Sequence, residues 1–278
     1  MIQDIGEHTF DNQYHPCPPD RESYALYYED HAALVRKYPD RIEFPKFRDI
    51  ERLNEDIYED AVYLFSIDGE RYYLVEEINR ERQSHFTMEN TEIFRYAEPQ
   101  YLAFAGITGY QLHNWYQSRR FCGKCGRGMK KDSKERMLYC ESCHNMEFPK
   151  ICPAVIIGVT DGDKILMSKY AGRTYKKYAL LAGFTEIGET LEETVQREVM
   201  EEVGLKVKNI RYYKSQPWSF TDTLLMGFYC DLDGGAAITL DREELAMAEW
   251  FQRDESPVEP ERDSIPNEMI IRFKNGEV

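Results

Sequence analysis

The segment from Gly183 to Leu205 constrains the fold of this chain more than any other feature of its sequence. It reads GFTEIGETLEETVQREVMEEVGL. Thr190 followed three residues later by Glu193 is a capping box, which predicts that a helix begins there. Gly204 is placed to end that helix. Apolar residues recur at every fourth position and predict its buried face: Leu191, Val195 and Val199.

Three glutamates of the predicted helix share one face. Glu198, Glu201 and Glu202 are spaced three and four residues apart. Carboxylates this close repel one another unless a cation neutralises them, and their oxygens suit Mg²⁺ or Mn²⁺. A bare acidic cluster is usually a solvated surface. Glu189 and Arg197 at fixed spacing from the glycines favour a metal site instead.

Four of the seven cysteines form a second motif. Two C-x2-C pairs are separated by fourteen residues and can supply four thiolates to one tetrahedral Zn²⁺: Cys122 and Cys125, then Cys140 and Cys143. Four protein ligands close such a site, so we expect one structural zinc ion per chain. Paired redox dithiols are the alternative. The other three cysteines are expected to be buried apolar side chains: Cys17, Cys152 and Cys230.

Composition limits the class of protein. Paired cysteine spacing in an odd set of seven favours metal over disulfides and a reducing compartment, the cytoplasm. The chain has no run of 18 apolar residues, and its start, MIQDIGEHTF, lacks the apolar stretch of a signal peptide. A net charge of −15 argues against broad affinity for nucleic acid or anionic membranes.

Periodicity and turn residues predict several elements of structure. Asp68-Gly69 and Asp161-Gly162 each indicate a hairpin. The predicted strands are 61–65, 71–75, 154–159, 164–168, 207–213 and 224–231. Helices are predicted over 99–120 and 266–273, with two glycines inside the first. The fold of residues 1–55 is poorly specified.

The segment Ser215–Phe220, SQPWSF, completes a set of family features. With the glutamate helix and the cysteine pairs, it resembles the NADH pyrophosphatase family of Nudix hydrolases, also called NAD(+) diphosphatases. The Nudix box, G-x5-E-x7-R-E-U-x-E-E-x-G-U with U apolar, is matched at every fixed position. The family carries S-Q-P-W-P-F-P-x-S, from which this chain departs at Ser219, Thr221 and Thr223.

The resemblance implies an α+β architecture. A Nudix αβα-sandwich catalytic domain, residues 151–278, would follow a zinc ribbon, 119–150, and an N-terminal Nudix-like α+β domain without a box, 1–118. It implies a homodimer that hydrolyses the pyrophosphate bond of NAD(H) to nicotinamide mononucleotide and AMP. Some members also remove NAD caps from RNA.

The same resemblance assigns roles to single residues. Two or three Mg²⁺ or Mn²⁺ ions would be held by Glu198, Glu202, Glu244 and the carbonyl of Ala182. The catalytic set is Glu189, Arg197, Glu198, Glu201 and Glu202, with the proton acceptor either Glu198 or Glu201. The substrate contacts are Glu135, Phe148, Gln216, Pro217, Trp218, Ser219, Phe220, Thr221, Asp222, Thr223 and Pro266.

Two other functions stay open. One is a Nudix hydrolase for ADP-ribose or an RNA 5′ end, for which eight basic residues between 119 and 136 offer a local patch. The other is a non-catalytic nucleotide sensor, which should show an eroded box. A hydrolysis panel separates these functions.

Overall fold

The computed structural model describes residues 1–79, 85–172, 177–260 and 264–278. The chain forms two compact units. The N-terminal unit is Ile2–Lys150 with Ser219–Thr221, and the C-terminal unit is Met1, Ile151–Trp218 and Asp222–Val278. None of the helices within the described residues is both long and apolar enough to cross a membrane.

The N-terminal unit is built on a seven-stranded sheet. Its elements are β1 (Phe10–Asp11), β2 (Tyr24–Glu29), β3 (Ala32–Lys37), β4 (Ile42–Glu43), α1 (Phe47–Ile50), β5 (Val62–Ile67), β6 (Glu70–Val75), β7 (Thr87–Asn90) and α2 (Gln100–Ser118). The strand order is β1-β5-β6-β2-β3-β4, with β7 paired to β3. The hairpin predicted around Asp68-Gly69 is confirmed, and both residues have positive φ.

Close packing against neighbouring side chains explains the two glycines inside helix α2. A Cβ on Gly106 would lie 2.5 Å from the ring of Phe94, and one on Gly109 would lie 2.5 Å from Leu26. Glycine lowers the helix propensity of α2, but it lets the helix pack more closely on its neighbours. The predicted helix over 99–120 is confirmed within two residues at each end.

The expectation for Cys17 is wrong. Its side chain is exposed, and its thiol lies 3.2 Å from Nη1 of Arg71 and 3.4 Å from the hydroxyl of Tyr73. The thiol therefore has polar partners at the surface and is not packed as an apolar core side chain. Cys230 is buried as expected, and Cys152 is half-buried.

The ribbon closes the N-terminal unit. It carries three two-residue strands, β8 (Lys130–Lys131), β9 (Leu138–Tyr139) and β10 (Met146–Glu147), in the order β10-β9-β8. Contacts within the unit tie it to the first sheet. Arg136 donates to the carbonyl of Leu64, and to the carbonyl and side-chain oxygen of Asn12 at 3.2 Å.

The C-terminal unit is a six-stranded sheet between two helices. Its elements are β11 (Cys152–Asp161), β12 (Lys164–Tyr170), β13 (Leu181–Phe184), α3 (Leu191–Val203), β14 (Val207–Trp218), β15 (Thr223–Leu232), β16 (Leu245–Gln252) and α4 (Ile265–Lys274). The order is β14-β15-β11-β12-β16, with β13 paired to β11 and β15 parallel to β11.

Alternation along β11 separates two cores. Val155 and Ile157 pack on the α3 side, whereas Ile156 packs on the α4 side. The unit is therefore the predicted αβα sandwich, and its helix and strand predictions are confirmed. The sequence did not predict β13 or β16. The three-domain division and the Nudix-like character of the N-terminal unit stay predictions.

Candidate active site

Helix α3 forms as its sequence dictates. The Glu193 amide donates to the Thr190 hydroxyl at 3.2 Å, and the Thr190 amide donates to the Glu193 carboxylate at 2.8 Å. Gly204 ends the helix with φ of 68°. Its valines are fully buried: Val195, Val199 and Val203. Burying this stripe fixes the rotation of the helix and turns the opposite side toward the loop before it.

Arg197 holds the acidic residues of the box together. Its Nε and Nη2 donate to the two oxygens of Glu189 at 2.5 and 3.0 Å. Its Nη1 donates to Glu198 at 2.7 Å and to Glu201 at 2.9 Å, and its Nη2 also donates to the carbonyl of Phe184 at 2.9 Å. A guanidinium has five N–H groups, so these contacts use all of them. Arg197 therefore acts as a clamp that fixes the other acidic side chains of the box.

Glu189 is the anchor of that clamp. Besides Arg197, its carboxylate accepts the Glu186 amide at 3.0 Å and the Thr194 hydroxyl at 3.0 Å. The hydrogen bonds from Arg197 and then from the Glu186 amide lower the pKa of Glu189 to about 2. Glu189 is therefore a permanent anion with its lone pairs occupied, which suits positioning better than proton transfer.

Glu198 lies against the backbone of β13. It is only 8% exposed, and a Cβ added to Gly183 would lie 1.9 Å from its carboxyl carbon. The box therefore needs glycine at 183 because the glutamate occupies that space. Burial raises the pKa of Glu198, Arg197 opposes the shift, and the charges of Glu201 and Glu244 add to it.

The remaining predicted metal ligands lie on α3, on β13 and in the turn before β16. Glu202 is 2% exposed, one turn beyond Glu198 on α3. Glu244 lies in the turn before β16, close enough to Glu198 for its charge to raise the Glu198 pKa. Ala182 precedes Gly183 on β13 and pairs with Ile156. The structure thus brings Glu244 near Glu198, although the two residues are more than forty positions apart in sequence.

These residues fit a divalent cation. Two buried carboxylates on one helix face, a further carboxylate nearby and an adjacent backbone segment provide hard oxygen donors of the kind Mg²⁺ and Mn²⁺ prefer. Burial first, and then the charges of Glu201 and Glu244, raise the pKa of Glu198, and a bound cation would relieve that cost.

The four cysteines of the ribbon form one cluster. Their sulfur atoms all lie within 4.8 Å of one another, and two pairs, Cys122 with Cys143 and Cys125 with Cys140, are 3.5 Å apart. A tetrahedral zinc with Zn–S bonds of about 2.3 Å places its sulfurs about 3.8 Å apart. Backbone amides, that of Cys143 first, lower the pKa of Cys140 to about 7. The hydrogen bond from the Asn145 amide is outweighed at Cys143, where burial and the other three sulfurs raise the pKa to about 12, so the thiols do not all ionise readily without a cation. The cluster is suited to one tetrahedral metal ion.

The loop after the box places its residues differently. Gln216 is completely buried, and its side-chain oxygen accepts the Ile265 amide at 2.8 Å. Trp218 ends β14 and pairs with Thr223, which is buried. Pro266 lies in the first turn of α4. Pro217 and Thr221 are exposed, Ser219 is buried and Asp222 is half-buried with φ of 57°.

Phe220 lies in the N-terminal unit. It packs against the core of that unit, and the guanidinium of Arg95 lies 4.2 Å from the centre of its ring. One ring face is therefore already covered. Phe148 is 54% exposed. Glu135 is exposed in a turn closed by Asp132, whose carboxylate accepts the Glu135 amide at 2.9 Å.

The basic patch of the ribbon is smaller than its sequence suggests. Arg136 is largely buried, and that burial lowers its pKa. Lys130 pairs with Glu141 and Lys131 with Glu76, each at 2.7 Å. Arg119 also pairs with Glu147 at 3.6 Å, and Arg127 donates to the Ser142 hydroxyl at 3.3 Å, so at least five of the eight basic residues have partners within the N-terminal unit. Sequence proximity could not reveal this because Glu76 is 55 positions away from Lys131.

Sequence reasoning missed Gly183's contact with Glu198, the shared use of Arg197, and Thr194. The Thr194 hydroxyl is completely buried beside Glu189 and lies 3.1 Å from the carbonyl of Thr190. Its spacing of four from Thr190 was the available signal. Phe184, 56% exposed beside Gly183, was also overlooked.

Comparison with known families bears on both units. Residues 150–273 match the family described as NUDIX domain. Residues 117–148 match the NADH pyrophosphatase zinc ribbon domain. The sandwich fold and the glutamate helix thus define a Nudix domain.

Curated relatives match part of this chain. Proteins named NAD-capped RNA hydrolase NudC from Photorhabdus laumondii and from Enterobacter sp. are each 41% identical over 162 residues. These alignments cover 58% of this chain, and they span 63% and 62% of the relatives' own length. A crystal structure of a NUDIX hydrolase from Nitrosomonas europaea aligns with a TM-score of 0.49 at 23% identity, covering 56% of this chain and 90% of that one.

Residues 117–273 therefore resemble Nudix proteins that carry a zinc ribbon of the NADH pyrophosphatase type.

Proposed function

We propose that this protein hydrolyses the pyrophosphate bond of NAD(H), giving nicotinamide mononucleotide and AMP. The observation that carries the proposal is the burial of Glu198 and Glu202 on one face of α3, with Glu198 filling the space beside Gly183. The zinc ribbon of the NADH pyrophosphatase type supports NAD(H) over other diphosphate substrates. A non-catalytic sensor should lack some residues of the box, whereas this chain retains all of them.

The proposed cation ligands are Glu198, Glu202, Glu244 and the carbonyl of Ala182, with two or three Mg²⁺ or Mn²⁺ ions. Bound cations neutralise the charges of the pyrophosphate and lower the pKa of a bound water. The protein's own part is to hold the carboxylates in place. Arg197 does this by fixing Glu198 and Glu201 against Glu189.

The reaction needs one proton acceptor. Water adds its oxygen to one phosphorus, the P–O–P bridge breaks, and the bridging oxygen leaves with the other phosphate. A box carboxylate takes the proton of the attacking water. Glu198, whose pKa is raised by burial, and Glu201, which is exposed, are the two candidates.

The proposed substrate contacts extend to Glu135, Phe148, Pro266 and residues 217–223, and Gln216, whose side chain is completely buried, supports them without touching substrate. An exposed ring such as Phe148 is available to stack on a base, whereas Phe220 already has Arg95 on one face. One base-stacking contact is worth about 1–3 kcal/mol. A second base, which ADP-ribose lacks, therefore allows a preference of roughly five- to a hundredfold.

NAD-capped RNA is the proposed second substrate. The supporting observation is the name of the curated relatives, NAD-capped RNA hydrolase NudC. The partly neutralised ribbon limits how much the basic residues add to RNA affinity. We further propose a homodimer located in the cytoplasm, with Mg²⁺ or Mn²⁺ at the box and Zn²⁺ at the cysteines.

A hydrolysis panel tests the proposal. NADH, NAD⁺, ADP-ribose and NAD-capped RNA are compared with Mg²⁺ or Mn²⁺, and products are separated by chromatography. We expect NADH to give AMP and reduced nicotinamide mononucleotide with a higher kcat/KM than ADP-ribose. Equal or better kcat/KM for ADP-ribose rejects the NAD(H) assignment and leaves a Nudix hydrolase. No hydrolysis of any dinucleotide rejects both.

A matched pair of variants controls for contaminating activity. Glu202→Gln removes a buried charge with little change of shape, and its turnover should fall at least about a hundredfold. Glu192→Gln changes an exposed glutamate of the same helix and should keep wild-type turnover. More than about a third of wild-type activity in Glu202→Gln would contradict the box assignment.

A further inference from the structure

Gln216 lies in the segment that resembles a substrate-binding loop, yet its side chain is completely buried. Its oxygen accepts the backbone amide of Ile265 at 2.8 Å. Ile265 is the first residue of α4, so Gln216 reaches from β14 to the start of a helix that follows 49 positions later.

The start of α4 needs such a partner. The first amides of a helix have no acceptor inside the helix. A side chain at the N-cap usually supplies one, but Ser264 makes no side-chain cap here. Pro266 has no amide hydrogen, and the Glu268 amide donates to the carbonyl of Ser264 at 3.2 Å. Gln216 therefore caps the Ile265 amide from another element.

The neighbouring residues show that α4 is held tightly on this part of the sheet. A Cβ on Gly227 would lie 2.8 Å from Met269 and 3.0 Å from Ile265. The Tyr229 hydroxyl donates to the carbonyl of Met269 at 2.8 Å, and Lys214 pairs with Glu268 at 2.7 Å. Because these contacts hold the rest of α4, loss of the Gln216 hydrogen bond should loosen only the first turn of the helix.

We infer that Gln216 is a positioning residue: it fixes the Ser264–Pro266 turn relative to the strand that carries Trp218, and it acts on substrate through them. This deepens the role of the 216–223 segment and rests on the proposed function for its kinetic part. The cap itself does not depend on that function, because it is a contact within the C-terminal unit.

Two variants separate the cap from a direct substrate contact. Gln216→Met has similar length but lacks a strong acceptor, whereas Gln216→Glu keeps an acceptor for the Ile265 amide, where the helix N-terminus also favours negative charge. Hydrogen–deuterium exchange of peptides covering Ser264–Ile270 reports the cap without reference to activity. Steady-state kinetics with NADH report the effect on substrate.

We expect faster exchange in the first turn of α4 for Gln216→Met, by roughly fivefold, and wild-type exchange for Gln216→Glu. KM for NADH should rise roughly two- to fivefold in the Met variant with kcat within about twofold, because fewer molecules hold the turn in place. Gln216→Glu should keep KM within about twofold of wild type.

Other results overturn the inference. Unchanged exchange in Gln216→Met shows that the contact does not cap the helix. Wild-type exchange with a large KM increase in Gln216→Glu shows that the amide contacts substrate directly. If the Met variant does not fold, Gln216→Asn, one methylene shorter, replaces it in both measurements. Absence of NADH hydrolysis by the wild type rejects the proposed function but leaves the exchange result to decide the cap.

Discussion

At the residue scale, the space beside Gly183 decides whether the box can work. Gly183→Ala would place a Cβ 1.9 Å from the carboxyl carbon of Glu198, so the carboxylate must move. We expect turnover to fall at least about a hundredfold, because stabilisation by a positioned charge is lost. Gly235→Ala is the control, since nothing lies within 4 Å of its added Cβ. Turnover measured alongside melting temperature decides; near-normal turnover in Gly183→Ala would contradict the packing.

A second residue-scale prediction concerns acid. The pKa of Glu189 falls from its ordinary value of 4.5 to about 2, chiefly through hydrogen bonds from Arg197. A depressed carboxyl pKa stabilises the folded state above pH 4.5, and that contribution is lost as pH falls from 4.5 to about 2. Glu189→Gln should therefore show a smaller loss of unfolding free energy over this window than wild type. Urea denaturation at a series of pH values measures the free energy of unfolding. An equal dependence of that free energy on pH in Glu189→Gln and wild type would contradict the lowered pKa of Glu189.

At the element scale, the two cysteine knuckles of the ribbon share a left-handed backbone position but place different residues there. Gly126 and His144 each follow the second cysteine of a pair, with φ of 73° and 59°, and their amides donate to the backbone carbonyls of Cys122 and Cys140 at 2.8 and 2.9 Å. A left-handed conformation costs a non-glycine residue about 1 kcal/mol.

His144→Gly should therefore stabilise the ribbon by up to about 1 kcal/mol, and Gly126→Ala should destabilise it by a similar amount. Chemical denaturation of the zinc-loaded protein measures both. Zinc content should not change in His144→Gly, because the four clustered cysteines supply all of the expected zinc ligands. Loss of zinc in that variant would make His144 a ligand.

At the scale of the whole molecule, metal in the ribbon should support the entire N-terminal unit. Tyr14 donates to the carbonyl of Asp132 at 3.2 Å, and Arg136 reaches Leu64 and Asn12. Cys140→Ser should lose zinc and lower the melting temperature, with faster hydrogen exchange in β1 and β5 as well as in the ribbon. Elemental analysis and exchange mass spectrometry test this. Full zinc occupancy in the variant, or exchange confined to the ribbon, would contradict it.

The elements that the sequence predicted well are those built from local interactions. The capping box and the four-residue apolar period of α3, the Asp-Gly hairpins and the doubled C-x2-C spacing each act over a few positions. By contrast, β13 and β16 were missed. Each is a strand because it pairs with β11 or β12, which lie elsewhere in the chain.

The sequence by itself determined the glutamate helix, the thiolate set and the resemblance to a family, because these depend on residue identity at short, fixed spacing. Only the tertiary structure decided how those residues are used. It placed Glu198 in the space left by Gly183, brought Glu244 near it, buried Arg136 and turned Gln216 toward α4. Burial and hydrogen-bond partners are set by contacts between distant segments, and a linear pattern carries no record of those distances.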